Sequence, residues 1–331
     1  MLRRFIIGAV GITSLIFGSL AILPDTSIFA QSGGGQGVEI SPALVELNAQ
    51  RGGTYDIAVK VKNVTTTDLD YIVSVEDFNA KDESGSPQVL IGSDLPDSIS
   101  IKSWVSSVDM FSLKSQESRT VNFKLTVPDS AEPGGHYGVL RFSGTDPQVS
   151  VSGVGLSASA GSLILMRVDG DIKEEATLES FITESNGSRS WLFEKSPVTL
   201  VTRINNSGNI HIKPVGNIEI KNFWGNIVQS IPLNETRSNV LPGSIRRFES
   251  TTSSDWMFGK YTASLALGYG NQGQAITSII SFWVIPYKII AVGIIVLATI
   301  VYIMRNLIKA YNRRIIAKSK NETNTKTKKN K

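Results

Sequence analysis

Cysteine is absent from this 331-residue chain, and there are only two histidines, His136 and His211. Without thiols there can be no disulfide staple, no thiol nucleophile and no cysteine-based metal site. A zinc site needs three or four ligands converging at about 2.0–2.3 Å. Two histidines far apart in sequence, with no His-Glu-x-x-His spacing, do not supply them, and both read as structural strand residues. The Gly-x-Ser-x-Gly elbow, the Gly-x-x-x-x-Gly-Lys phosphate loop and the dinucleotide fingerprint are missing too. Adjacent carboxylates occur, such as Glu76-Asp77 and Glu174-Glu175. Neighbours on a strand point to opposite faces, so neither pair converges by itself and both read as solvated surface. The expectation is a protein with no cofactor and no enzymatic activity.

Acid is scarce at the two ends. Residues 305–331 hold ten Lys or Arg against Glu322 alone, a net charge of +9. Residues 1–30 hold Arg3 and Arg4 against Asp25, so the intervening segment has 21 basic and 27 acidic residues. The overall charge of +4 therefore belongs to the flanks, while the middle is mildly acidic. That distribution suits cations bordering an anionic membrane and argues against a nucleic-acid partner.

Long apolar runs are confined to those same flanks. Met1-Leu-Arg-Arg4 precedes an apolar stretch from Phe5 to Leu23, then Pro24 to Ala30. This is the layout of a signal peptide over 1–30 cleaved between Ala30 and Gln31; an uncleaved anchor, giving two spans, is the alternative. The second run, Pro286 to Met304, has no charge after Lys288 and is about long enough to cross a hydrocarbon core of ~30 Å. Trp283, Tyr287 and Tyr302 are rings that favour the interface, Lys288 can extend to the headgroups, and Arg305 opens the basic tail. The expected layout is a membrane helix over 286–304 and a cytoplasmic tail over 305–331, with everything before them outside the cell. Export without cysteine suggests a bacterial protein, so the sequons at Asn63, Asn186, Asn205 and Asn234 read as incidental.

The roughly 255 residues between the flanks are enough for two domains. After a flexible leader (31–37), short alternating runs separated by turn residues recur about every ten positions, which predicts all-β sandwiches. Tyr55, Ile57, Val59 and Val61 alternate with Asp56, Ala58, Lys60 and Lys62, and Tyr71, Val73 and Val75 repeat the pattern, as do Val121, Phe123, Leu125 and Val127. Small residues dominate 149–161, which reads as a mobile loop before a strand at 162–168 or as a weak edge strand. Val168-Asp-Gly-Asp-Ile172 marks a boundary, giving domains over 38–172 and 173–285. In the second, Phe223-Trp-Gly-Asn226 is a hairpin turn, and Tyr261, Ala263, Leu265, Leu267 and Tyr269 form the cleanest alternation. A last strand over 274–285 runs almost directly into the apolar helix. The predicted fold is therefore two tandem immunoglobulin-like β-sandwiches followed by one transmembrane helix.

Of the five tryptophans, Trp104 and Trp283 read as core or membrane-interface residues. Trp224, beside a hairpin turn, is the candidate for an exposed contact.

Ser41-Pro-Ala-Leu-Val-Glu-Leu47, Arg51-Gly-Gly-Thr-Tyr55 and Ser74-Val-Glu-Asp-Phe78 resemble the opening of the DUF916 domain of WxL-interacting proteins from Gram-positive bacteria. Ser103-Trp-Val105, Ser118-Arg-Thr-Val121 and Val127 to Gly138, with its Ala-Glu-Pro-Gly-Gly-His-Tyr turn, are similar to that domain's later strands. The resemblance covers about 38–172 and implies a surface protein that holds other surface proteins. Residues 173–285 depart from the family's second domain and look more like a variant from candidate-phyla bacteria, so the family's partner is not carried over. The expected role is a membrane-anchored module binding another surface protein or an envelope polymer. A passive stalk is the alternative, and an envelope hydrolase is a third reading.

Overall fold

The computed structural model describes residues 37–92, 95–145, 158–253 and 256–329. The predicted cleavage point at Ala30 and Gln31, and all but the last residue of the predicted leader, lie outside them. In chain order the first sandwich contains β1 (Val38–Ser41), β2 (Leu44–Ala49), β3 (Thr54–Asn63), β4 (Leu69–Ala80), β5 (Pro87–Val89), β6 (Phe111–Leu113), β7 (Ser118–Thr126), β8 (Gly134–Thr145) and β9 (Ala158–Val168). The second contains β10 (Ala176–Ser185), β11 (Ser188–Arg189), β12 (Leu192–Phe193), β13 (Thr199–Asn206), β14 (Val215–Lys221), β15 (Ile227–Leu233), β16 (Ile245–Thr251), β17 (Gly259–Tyr269) and β18 (Gln274–Val284). The helix α1 (Tyr287–Lys329) follows. Among the described residues the structure is all-β apart from this helix and one 3-10 turn at Ile101–Ser103.

Period-two alternation produces the first core. In β3, Ile57, Val59 and Val61 face inward, and in β7, so do Val121, Phe123 and Leu125; Ile57 sits opposite Phe123 and Val59 opposite Val121. With β1 they make one sheet, ordered β1-β3-β7. The facing sheet, β2-β9-β8-β4-β5 with β6 beside β4, contributes Tyr71, Leu140, Phe142, Ile164, Met166 and Val168. Each such side chain is worth about 1.5–3 kcal/mol of burial, so the two faces together outweigh any single polar contact. Two sheets, β11-β10-β13-β16 and β12-β18-β17-β14-β15, enclose the second core. Leu200, Ile204, Ile218, Ile220, Leu265 and Phe282 are its centre.

Two local expectations are corrected. The described end of the small-residue stretch is strand and not loop: β9 begins at Ala158, and residues 158–161 pair with β8 alone, since β2 meets β9 only from Leu163 onward. Small side chains are what that position admits, since a Cβ on Gly161 would fall 2.6 Å from a methyl of Val139. Nor are Glu76 and Asp77 solvated. Both are buried, because the 3-10 turn folds over them: Asp77 accepts the Ser100 hydroxyl at 2.5 Å and Glu76 pairs with Lys102 at 3.1 Å.

One face of the large sheet has a second covering. Phe78, Val139 and Leu165, with Tyr137 and Leu163, form a small cluster completed by Leu241 from the second sandwich. Strands of this sheet therefore bury both faces at mid-length, and β8 reads as a nearly continuous apolar run there.

Candidate functional site

A polar seam joins the two sandwiches, and its parts come from turns. The Asp82–Ser86 turn between β4 and β5 reaches the β13–β16 surface. There the Glu83 carboxylate takes the Arg203 guanidinium in a forked pair, with Nε at 2.7 Å, and the Glu83 carbonyl accepts the Arg247 N–H at 2.7 Å. Arg247 in turn grips Glu184 with two bonds of 3.0 and 2.8 Å, and also meets Glu249 at 2.9 Å. The arginine hydrogen bonds hold Glu83 and Glu184 below the usual carboxylate range, and raise Arg203 and Arg247 in return.

Asn209 is the second fastening. Its side chain accepts the Lys173 N–H at 2.7 Å and donates to the carbonyls of Asp171 (2.8 Å) and Pro133 (3.3 Å). Its own carbonyl accepts the Gly135 N–H at 2.8 Å. The approach is so close that a Cβ on Gly134, at φ 129°, would fall 2.6 Å from that carbonyl oxygen. The Glu132-Pro-Gly-Gly turn is thus where the second sandwich and the linker between the domains are hung on the first. The adjoining His136 is buried, with both ring nitrogens 2.8 Å from the carbonyls of Ile99 and Glu132. His211 lies across the seam against Tyr137. Burial pushes its imidazole down to about 4 and raises the Tyr137 phenol.

Beside this seam opens a groove of about 550 Å³. Its floor is β2 and β9, with Glu46 and Arg167; its wall carries His211, Lys213, Arg237 and Glu174. Lys213 pairs with Glu46 at 2.6 Å and Arg167 with Glu174 at 3.5 Å. Burial opposes ionisation of Glu46, but the lysine outweighs it and holds the carboxyl below its usual range. Arg237 has no carboxylate partner among the described residues. The strand beside the groove, β2, is the outermost of its sheet. Among the described residues no three of His, Asp and Glu are placed to hold a metal ion.

Residues singled out in the sequence sit elsewhere. Trp104 is in the first core, its indole donating to the Asp97 carbonyl at 2.6 Å. Trp224 is 80% exposed at the β14–β15 tip. Trp283 is the penultimate residue of β18, Tyr287 opens α1, and Tyr302 and Arg305 are exposed further along the helix. Lys288 is drawn to Glu194 at 2.5 Å. The stretch Tyr287–Ile316 is long and apolar enough to cross a membrane, and the helix continues without a break past Arg305. Sequence reasoning missed the seam: Glu83, Arg203, Arg247 and Asn209 look like ordinary surface residues. The faint signal was Arg246-Arg247, a cationic pair side by side on one strand.

No protein-family model and no curated protein matches the sequence. Solved structures similar to it include the class 5 fimbriae chaperone CfaA, at 11% identity over 73% of this chain and 98% of that one, with a TM-score of 0.38. The YadV chaperone is 10% identical over 74% and 100%, with a TM-score of 0.36. The E. coli chaperone DraB is 14% identical over 75% and 96%, with a TM-score of 0.34. Likeness this distant carries no statement about what the present chain binds.

Proposed function

We propose that this protein is a non-enzymatic binding module of the cell surface, held to the membrane by α1 with its basic tail in the cytoplasm. The observation that carries the reading is the groove between the sandwiches. Concave, largely preformed sites at domain junctions are the usual places for ligands. This one offers an outer strand edge, β2, for main-chain pairing and an unpaired cation, Arg237, for a carboxylate. Three other edges, β7, β15 and β16, are less open. Residues 104–106 bond to the outer side of β7, β15 contains Pro232, and Glu83 occupies part of β16.

The test is recovery of partners by the full-length protein solubilised from its own membranes, compared with the Arg237→Glu variant. A reproducible partner whose recovery falls by about tenfold on charge reversal, a change of about 1.4 kcal/mol, supports the proposal. Equal recovery by both proteins, or none by either, overturns it. A second reading, a rigid spacer, is favoured by the ion-paired seam. It predicts that replacing residues 38–285 by unrelated sandwiches of equal length preserves function.

A further inference from the structure

The second sandwich has two very different ends. At one, the turns Gly270-Asn-Gln-Gly273 and Asn234-Glu-Thr-Arg-Ser238 are polar. At the other, large apolar side chains stand in the open: Trp224 is 80%, Trp256 82%, Phe223 70% and Trp191 66% exposed, with Phe258, Ile227 and Val228 beside them also exposed. The rings are paired in advance. Phe223 and Trp224 meet edge to face at 5.4 Å, and Trp256 stacks on Phe258 at 5.7 Å.

Strand register shows which end this is. Lys221 of β14 lies opposite Thr262 of β17, and Thr262 opposite Ser281 of β18. Phe223 and Trp224, two and three residues beyond Lys221, stand at about the level of Trp283 and Val284. Gly259 pairs with Val284, which puts Trp256 to Phe258 beyond the last strand residue, at about the level where α1 begins. The Trp191 carbonyl accepts the Trp283 N–H at 2.7 Å, so Trp191 stands at the same level. Between Val284 and Tyr287 there are two residues, and they have no slack. Ile285 donates to the Phe193 carbonyl at 2.8 Å, and Lys288 pairs with Glu194 at 2.5 Å.

We infer that this end of the second sandwich docks into the bilayer interface, with the Phe223-Trp224 hairpin and the Trp256–Phe258 loop as two aromatic wedges beside α1. The inference rests on the reading of α1 as a membrane span. If Ile289 to Met304 occupy the hydrocarbon core, the short junction holds the sandwich end against the headgroup layer, where tryptophan and other amphipathic rings are favoured. Solvent exposure of so many large rings at one end costs least when that end is not in water. Three attachments (hairpin, loop and helix) then fix the tilt of the ectodomain, which a single flexible tether does not.

The experiment uses the full-length protein in vesicles of phosphatidylcholine and phosphatidylglycerol, with and without brominated acyl chains, and reads tryptophan quenching. Trp104, buried in the first core, is the unquenched internal reference. Trp224 and Trp256 are exposed, so Trp224→Phe with Trp256→Phe leaves the fold intact. About half of the bromine-dependent quenching is expected to vanish in this double variant, and a smaller part in Trp283→Phe. Unchanged quenching in the double variant, with Trp283→Phe still losing its share, overturns the docking and leaves the span standing. Absence of bromine quenching from every tryptophan also overturns the docking. The span contains no tryptophan and is read separately, by whether the protein stays with the vesicles after alkaline extraction. Protection of Trp224 and Trp256 from aqueous acrylamide without bromine quenching also overturns the inference, and assigns the wedges to a protein partner or a second copy.

Discussion

Tyr137 and His211, 74 residues apart, meet twice across the seam: the phenolic oxygen accepts the His211 backbone N–H at 2.9 Å and lies 3.2 Å from Nδ1 of the ring. The tyrosine hydroxyl donates to that nitrogen when the imidazole is neutral and its other nitrogen holds the proton. One side chain of the first sandwich thus meets both the backbone and the ring of the same residue in the second.

That contact sets a pH dependence. The imidazole titrates near 6.5 in an unfolded chain and at about 4 here, because burial disfavours the cation. Below pH 6.5 the unfolded chain takes up a proton that the folded one refuses, so stability is present above 6.5 and lost as pH falls towards 4. Lys213 and Arg167 facing the ring act in the same direction, Glu46 acts against it, and Tyr137 stays neutral throughout. Stability is expected to drop by about 2 kcal/mol between pH 7 and pH 5, and His211→Asn, which keeps the backbone N–H, flattens the profile. Urea unfolding at both pH values decides; superimposable losses for the two proteins contradict the assignment.

The forked Glu83–Arg203 pair is partly exposed, and its worth is correspondingly modest. A double-mutant cycle with Glu83→Ala and Arg203→Ala is expected to give a coupling of about 0.5–1 kcal/mol that shrinks in molar salt. A coupling indistinguishable from zero at low salt means that the other contacts of the seam, among them Asn209, Leu241 and Tyr137–His211, hold the sandwiches together without this pair.

Gly216 lies within β14, between β15 and β17, where a Cβ would fall 2.0 Å from the Ala266 carbonyl oxygen. Strands on both sides prevent relief by movement. Gly216→Ala is expected to cost about 3 kcal/mol or more. Gly225→Ala meets nothing within 4 Å but must hold φ at +84°, and should cost about 1 kcal/mol. Thermal melts that rank the two equally, or in reverse, refute the packing argument.

Ile295 is exposed near the middle of the apolar stretch, so its replacement by arginine should leave both sandwiches folded. Insertion is expected to become less favourable by about 2.5–3.5 kcal/mol, shifting the protein towards the alkali-extractable fraction. Unchanged extraction removes the case for a span.

Much of the architecture was readable from local pattern. Ile57-Ala-Val-Lys-Val61 and Tyr261-Thr-Ala-Ser-Leu265 face one side in and one side out because side chains on a strand alternate, and no distant information is needed to see it. The apolar helix was legible for the same reason. Where two surfaces cover one strand, the pattern misled. Glu76 and Asp77 are buried because the 100–102 turn closes on them, and residues 158–161 extend a strand because β8 offers them partners, from Gly144 opposite Ala158 to Arg141 opposite Gly161.

Trp224 was identified from its turn, yet its meaning depends on position. That it shares one end of the sandwich with Trp191, Trp256 and Trp283 follows from the register of four strands, which single-strand periodicity does not specify. Glu83, Arg203, Asn209, Tyr137 and His211 gave no signal at all. Their roles are pairings over 74 to 120 residues, and such pairings exist only after both sandwiches have closed and their turns have been brought edge to edge. Alternation, apolar length and terminal charge are properties of neighbouring residues, so the sequence determined the strands, the sandwich class and the apolar helix by itself. The seam, the groove and the aromatic end are properties of surfaces, and the tertiary structure decided those.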